Sequence, residues 1–141
     1  MMSNRISPKA PRDEEQIQLE FARTSQFTTG IVVQGNLCGY VSIHDIDLTR
    51  SCAEITAMIG DETLWGAGIG AEAVENTINM FGELSPDNRE LLIHAFIRKS
   101  NSASWKMFRR LGFEEYFSLD SLPPGYSLHP NDRLFRRKVG T

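Results

Sequence analysis

Leu64 to Val74 reads LWGAGIGAEAV, with Gly66, Gly68 and Gly70 at alternating positions directly ahead of a helical pattern. Ile69, Ala73, Val74, Ile78 and Phe81 recur at three- and four-residue steps, which predicts an amphipathic helix from about Gly68 to Phe81. Glycine within a helix costs about 0.5–1 kcal/mol relative to alanine, so this spacing argues that bare backbone is needed. A helix N-terminus offers N–H groups without intrahelical acceptors and the positive end of the helix dipole. With no Cβ in the way, an anion can reach those groups, and phosphate is the usual one.

The flanks set the context. FTTGIVVQ and LCGYVSIHDI surround Gly35-Asn36, a break suited to a two-residue hairpin turn. A second turn over Asp47 to Arg50 leads into SCAEITAMIG, so Phe27 to Ile59 predicts three antiparallel strands in a meander, with His44 closing the second. Ahead of them, DEEQIQLEFARTS starts acidic and sets Ile17 and Phe21 on one side, as a short helix would. After the glycine-led helix, GELSPDN is a loop and ELLIHAFI a short apolar run that reads as a buried strand. NSASWKMFRRL predicts another helix, with Asn101 or Ser102 as N-cap, Met107, Phe108 and Leu111 facing inward, and Gly112 ending it. FEEYFSL and RLFRRKV read as strands on either side of the loop PPGYSLHPND. The order α, β-β-β, α, β, α, β, β predicts an α/β (α+β) fold, a mixed, mostly antiparallel sheet with helices on both faces.

Composition bounds the function. The 141 residues suit a single domain over 13–141 behind a loose arm over 1–12. A net charge of −3 argues against a dedicated nucleic-acid binder, whose affinity rests on a basic surface. Cys38 and Cys52 are too few for a disulfide framework and lack metal-ligand spacing, so free thiols in a reducing cytoplasm and no metal are expected. No stretch approaches the roughly 18 apolar residues of a membrane span, and MMSNRISPKAPRDEEQ lacks the apolar centre of a secretory signal.

Three phosphate sites use such glycines. A P-loop needs Gly-Lys-Ser/Thr, whereas Gly70 is followed by Ala71-Glu72. A dinucleotide fingerprint fits Gly66, Gly68 and Ala71, but Gly60 to Trp65 separate strand from glycine, and the next strand ends Phe96-Ile97-Arg98 with no acidic residue. The third is a pyrophosphate loop fed by an antiparallel sheet. With Gly68 and Gly70 at its glycine positions and Trp65 where arginine or glutamine is usual, the stretch resembles the coenzyme A loop of the GNAT superfamily of N-acetyltransferases. Its Trp-Gly-x-Gly-Ile form is similar to the branch that acetylates ribosomal-protein N-termini and small amines. One strand later, Asn101, Ser104 and Leu111-Gly112-Phe113 resemble the family's next block, so the resemblance covers about Phe27 to Leu119.

The resemblance implies a set of contacts to acetyl-CoA. Backbone N–H groups of Trp65, Gly66, Ala67, Gly68, Ile69, Gly70 and Ala71 would bind the pyrophosphate, and the strand through Ile55, Met58 and Ile59 would pair with the pantetheine amides. Asn101 would hydrogen-bond the pantetheine arm with Ser104 close by, and Lys106 would face the 3′-phosphate or stand solvated. It also implies that the family's first strand and paired helices are shortened into about 26 residues, with part of the acceptor wall missing or supplied by another subunit.

Acetyl transfer to an amine needs a neutral nitrogen, so a base must take a proton from an ammonium. Glu54, four residues before Met58, is the candidate base, where relatives in this branch often carry an acidic residue; an exposed strand glutamate is the alternative. His44 is the second candidate, since imidazole exchanges a proton near neutral pH. Oxyanion donors are expected where the strand before the loop splays from its neighbour. Many family members place a proton-donating tyrosine seven residues after the asparagine; here that residue is Phe108, which leaves Tyr116 and Tyr126 as phenols that folding would have to bring to the sulfur.

These residues predict an acetyl-CoA-dependent N-acetyltransferase acting on a primary amine of a protein N-terminus, amino acid, amino sugar or drug by direct attack on the thioester. The alternative is a non-catalytic acyl-CoA-binding or regulatory module. A homodimer is the preferred assembly, with RLFRRKV pairing or packing across subunits, although Arg136-Arg137-Lys138 reads equally as a charged edge that discourages pairing.

Overall fold

The computed structural model describes residues 26–60, 64, 66–84 and 90–140. The arm over 1–12 and the helix expected from Asp13 lie outside the described residues. Strand β1 (Phe27–Val33) pairs antiparallel with β2 (Asn36–Asp47). The turn between them is Gln34-Gly35, one residue earlier than the sequence predicts. Both residues take positive φ, 51° and 81°, which a primed two-residue turn requires, and Asn36 already pairs with Val33. Strand β2 runs on to Asp47, so His44 lies inside the strand and faces Glu54 across the pair with β3 (Cys52–Ile59).

Helix α1 (Ile69–Leu84) continues about a turn past its predicted end, and β4 (Leu91–Arg98) is the expected apolar strand. Helix α2 (Ser102–Arg110) is capped by Asn101, whose side-chain oxygen accepts from the Ser104 N–H at 3.2 Å. Gly112, with φ 90°, turns the chain out of it into β5 (Glu114–Tyr116). That strand stops after three residues, leaving Phe117 85% exposed where the sequence predicts a longer one. Strand β6 (Asp132–Val139) completes a sheet ordered β1-β2-β3-β4-β6-β5. Every pair is antiparallel except β3–β4, which are joined through the crossover helix α1 and so run parallel.

Period-two alternation sorts the side chains by face. Ile31, Val41, Ile43, Ile55, Ile93 and Phe135 form one core with Val74, Ile78 and Phe81 of α1 and Phe108 of α2, so both described helices share this face. Arg137 fastens it: Nη1 donates to Glu75 Oε1 at 2.9 Å and to the Leu111 carbonyl at 2.9 Å, tying β6 to α1 and to the end of α2. Over β3 and β4, the opposite face carries the connection 117–131, whose Leu122 is buried. Strand β6 pairs with β4 along its whole length and with β5 over Leu134 to Arg136 alone, so among the described residues Arg137 and Lys138 have a strand neighbour on one side only.

Candidate active site

Strands β3 and β4 pair only at Cys52 with Leu92, Ala53 with Ile93, and Glu54 with His94. Beyond Glu54, β3 keeps its partner β2 but parts from β4, which stays with β6. The result is a wedge between two strands of one sheet. Two parallel strands leave backbone groups facing such a gap, and a polar extended chain can satisfy them. The expected splay is therefore real, and Ile55, Met58 and Ile59 run along its β3 side. Ile55 turns its side chain into the core at 3% exposure, whereas Met58 is 49% exposed on the opposite face.

At the wide end stands the glycine stretch, and its glycines divide their roles. Gly66 and Gly68 have φ of 83° and 82°, and a Cβ on either would meet nothing within 4 Å. Backbone conformation and an open cradle, not crowding, keep side chains away there. At Gly70 a Cβ would sit 3.1 Å from Met107 Sδ and 3.2 Å from Ile59 Cδ1, so this glycine lets α1 close onto α2 and the end of β3. The first intrahelical bond runs from the Glu72 N–H to the Gly68 carbonyl at 3.0 Å. The amides of Ile69, Gly70 and Ala71 precede it and face the helix N-terminus, where an anion binds. This cradle fits a pyrophosphate; Ala67 lies exposed within it, and Trp65 lies outside the described residues.

Asn101 spends its side-chain oxygen on the α2 cap, and Ser104 is half-buried one turn in. Lys106 is exposed, with Nζ 5.7 Å from the centre of the Trp105 ring.

At the narrow end, folding assembles a cluster of hydrogen-bonded titratable side chains. Glu54 is half-buried, and Tyr126 donates its hydroxyl to Glu54 Oε2 at 2.8 Å. His44 Nδ1 lies 2.8 Å from Asp45 Oδ2, and its Nε2 lies 2.9 Å from Thr56 Oγ1. His44, Asp45 and Glu54 bring polar atoms within 4.8 Å of one another, so the two predicted catalytic candidates do meet. Burial pushes the Glu54 carboxyl above its ordinary range; the Tyr126 hydrogen bond opposes this and the Asp45 carboxyl adds to it. The His44 hydrogen bond holds Asp45 below the usual carboxylate range. Burial, then the bond to Glu54, raises the Tyr126 phenol, which keeps its proton.

Several of these partners were invisible from local pattern. In a regular strand Asp45 would face away from His44. Its φ of 49° and the irregular register between His44 and Asp47 re-aim it. Tyr126 is 72 residues from Glu54. His94 is fully buried and its Nε2 lies 2.8 Å from Ser121 Oγ; a lone histidine in the apolar run ELLIHAFI was the available signal. Tyr116 does not approach the site, its ring lying 3.1 Å from the Arg136 guanidinium carbon. Phe108 is 2% exposed and packs edge-on against Phe113 at 5.0 Å, so the position that carries the family's tyrosine belongs here to the core. A cavity of about 560 Å³ lies elsewhere, between β1 and α1, and contains Glu72 as its one carboxylate with no proton-transfer partner in its lining.

Residues 1–114 match the family model described as an acetyltransferase (GNAT) domain. No curated protein matches the chain by sequence. Among solved structures, the fold is similar to the RimL ribosomal L7/L12 alpha-N-protein acetyltransferase in complex with coenzyme A, at 18% identity and a TM-score of 0.65, covering 89% of this chain and 68% of that one. It is also similar to the microcin C7 self-immunity acetyltransferase MccE in complex with acetyl-CoA and AMP, at 19% identity, TM-score 0.64, and 89% and 67% coverage. A chimera of the Vibrio cholerae spermidine N-acetyltransferase SpeG gives 18% identity, TM-score 0.60, and 90% and 74% coverage.

Proposed function

The chain belongs to the GNAT acetyltransferase family, and on that premise we propose that it transfers the acetyl group of acetyl-CoA to a primary amine with Glu54 as the base. The observation that carries this reading is a half-buried carboxylate at the point where β3 and β4 part. Relatives named for acetylating a ribosomal protein N-terminus and spermidine support an amine acceptor. So does the charge on this side of the sheet, where Asp45 and Glu54 would attract an ammonium.

Each part of the chain then has a task. The amides at the start of α1, opened by Gly66 and Gly68, hold the pyrophosphate. The β3 backbone from Ile55 to Ile59 binds the pantetheine arm as an added strand would, and Asn101, whose side-chain oxygen is held by the α2 cap, donates its amide nitrogen to that arm with Ser104 close by. When bound, the thioester supplies an acetyl carbon open to attack and a thiolate that leaves readily. Glu54 takes the ammonium proton, a transfer helped by a carboxyl raised above its ordinary range. His44 keeps Asp45 charged beside it and holds the negative field steady. Juxtaposing amine and thioester in the wedge supplies the larger part of the acceleration.

Among the described residues no helix is long and apolar enough to cross a membrane. The free Cys52 and the half-buried free Cys38 support a reducing, cytoplasmic location. Calorimetry with acetyl-CoA, followed by thiol release over a panel of N-terminal peptides, amino acids, amino sugars and polyamines, tests the proposal. Turnover with at least one amine is expected. Binding without turnover on any of them would instead favour an acyl-CoA-binding module, a reading that the core placement of Phe108 motivates; no binding would sink both.

A further inference from the structure

The connection 117–131 joins β5 to β6 without regular structure, at the length, about 12–15 residues, above which such segments usually carry a function. It is nevertheless pinned. Leu122 is 7% exposed, and the Ser121 hydroxyl meets the buried His94 at 2.8 Å. Gly125, with φ 101°, turns the chain back over the sheet, and the Tyr126 ring stacks on Phe96 with centroids 6.0 Å apart and planes 9° from parallel. These contacts hold the segment without any help from the Tyr126 oxygen. That oxygen instead donates its single hydrogen to Glu54 Oε2.

We infer that Tyr126 is a positioning residue for Glu54: its hydroxyl fixes one carboxylate oxygen so that the other is presented to the acceptor amine. The inference rests on the reading of Glu54 as the base. A carboxylate at the end of two rotatable bonds samples several orientations, and a single charge-assisted hydrogen bond selects one of them. The same bond favours the ionised form of Glu54, the form that accepts a proton. The other titratable or charged groups around Glu54 are His44 and Asp45 on β2, Cys52 on β3, His94 on β4 and Arg136 on β6. Of the described neighbours, Tyr126 is the one that donates a hydrogen bond to it.

Tyr126→Phe keeps the ring and its stacking on Phe96 and removes one oxygen. Turnover in the thiol-release assay should fall about tenfold or more. The acidic limb of kcat/KM against pH should move to higher pH, because Glu54 loses the bond that favours its charge, while the melting temperature stays near wild type. Ser121→Ala removes a different anchor of the same segment and should leave that limb in place. An unmoved limb with kcat within twofold of wild type, in a protein whose Glu54→Gln variant is inactive, overturns the inference and spares the base. A limb shifted equally by Ser121→Ala assigns the effect to the segment and also overturns it. Wild-type turnover in Glu54→Gln removes the base and the inference together.

Discussion

Glu54 and His94 are the last register pair between β3 and β4, and the strands separate immediately beyond them. This places a half-buried carboxylate where a chain lying in the wedge would end. Glu54→Gln should therefore lower kcat about 100- to 10,000-fold, the usual contribution of a positioned base, with acetyl-CoA affinity by calorimetry unchanged. The wild-type rate should fall as pH drops through a value above 4.5, since burial raises the Glu54 carboxyl from there and the base works only when ionised. An acidic limb at or below that value would argue against Glu54.

Gly68 and Gly70 should respond differently to alanine. At Gly68 the cost is backbone conformation, about 1–2 kcal/mol for an L-residue in the left-handed region, and acetyl-CoA binding should weaken as the cradle changes shape. At Gly70 the added methyl presses on Met107 Sδ and Ile59 Cδ1, both far ends of side chains. The helix propensity gained, about 0.5–1 kcal/mol, offsets that crowding, so stability should change little there while α1 shifts slightly from α2. Thermal melts and calorimetry on the two variants separate these effects, and equal losses of affinity without loss of stability would contradict the division.

Phe108→Tyr restores the family's hydroxyl at a site that cannot use it. The ring is 2% exposed and packed against Phe113, so an added hydroxyl is buried among apolar groups. Stability should fall by about 1–3 kcal/mol, and kcat should not rise. A faster enzyme would show that this ring reaches the leaving sulfur.

The Glu75–Arg137 pair should make stability depend on acid. Arg137 holds the Glu75 carboxyl below 4.5, chiefly by hydrogen bonding. Its stabilisation is complete above that ordinary value and fades as pH falls through the lowered folded one. Both side chains are partly exposed, so solvent screening limits the pair to about 1 kcal/mol. Urea melts of wild type and Glu75→Gln should differ by about 1 kcal/mol at neutral pH and converge in acid, once the pH has fallen through the lowered Glu75 value.

Local pattern sufficed for much of this molecule. Ile69, Val74, Ile78 and Phe81 specify α1 by their spacing, and the apolar run around Ile93 specifies a buried strand. Short-range rules failed at boundaries set by backbone conformation, as at the Gln34-Gly35 turn, and for β5, where three residues of pairing against β6 are all the sheet takes. The glycine stretch by itself determined an open backbone cradle at a helix N-terminus, suited to a phosphate-bearing donor, because positive φ and helix-end amides are local properties. What only the tertiary structure decided is the chemistry beside it. The irregular register turns Asp45 back toward His44, parallel pairing ends at Glu54, and a connection 72 residues away delivers Tyr126. Contacts of that kind depend on where strands part and how a loop folds over them, which no spacing along the chain encodes.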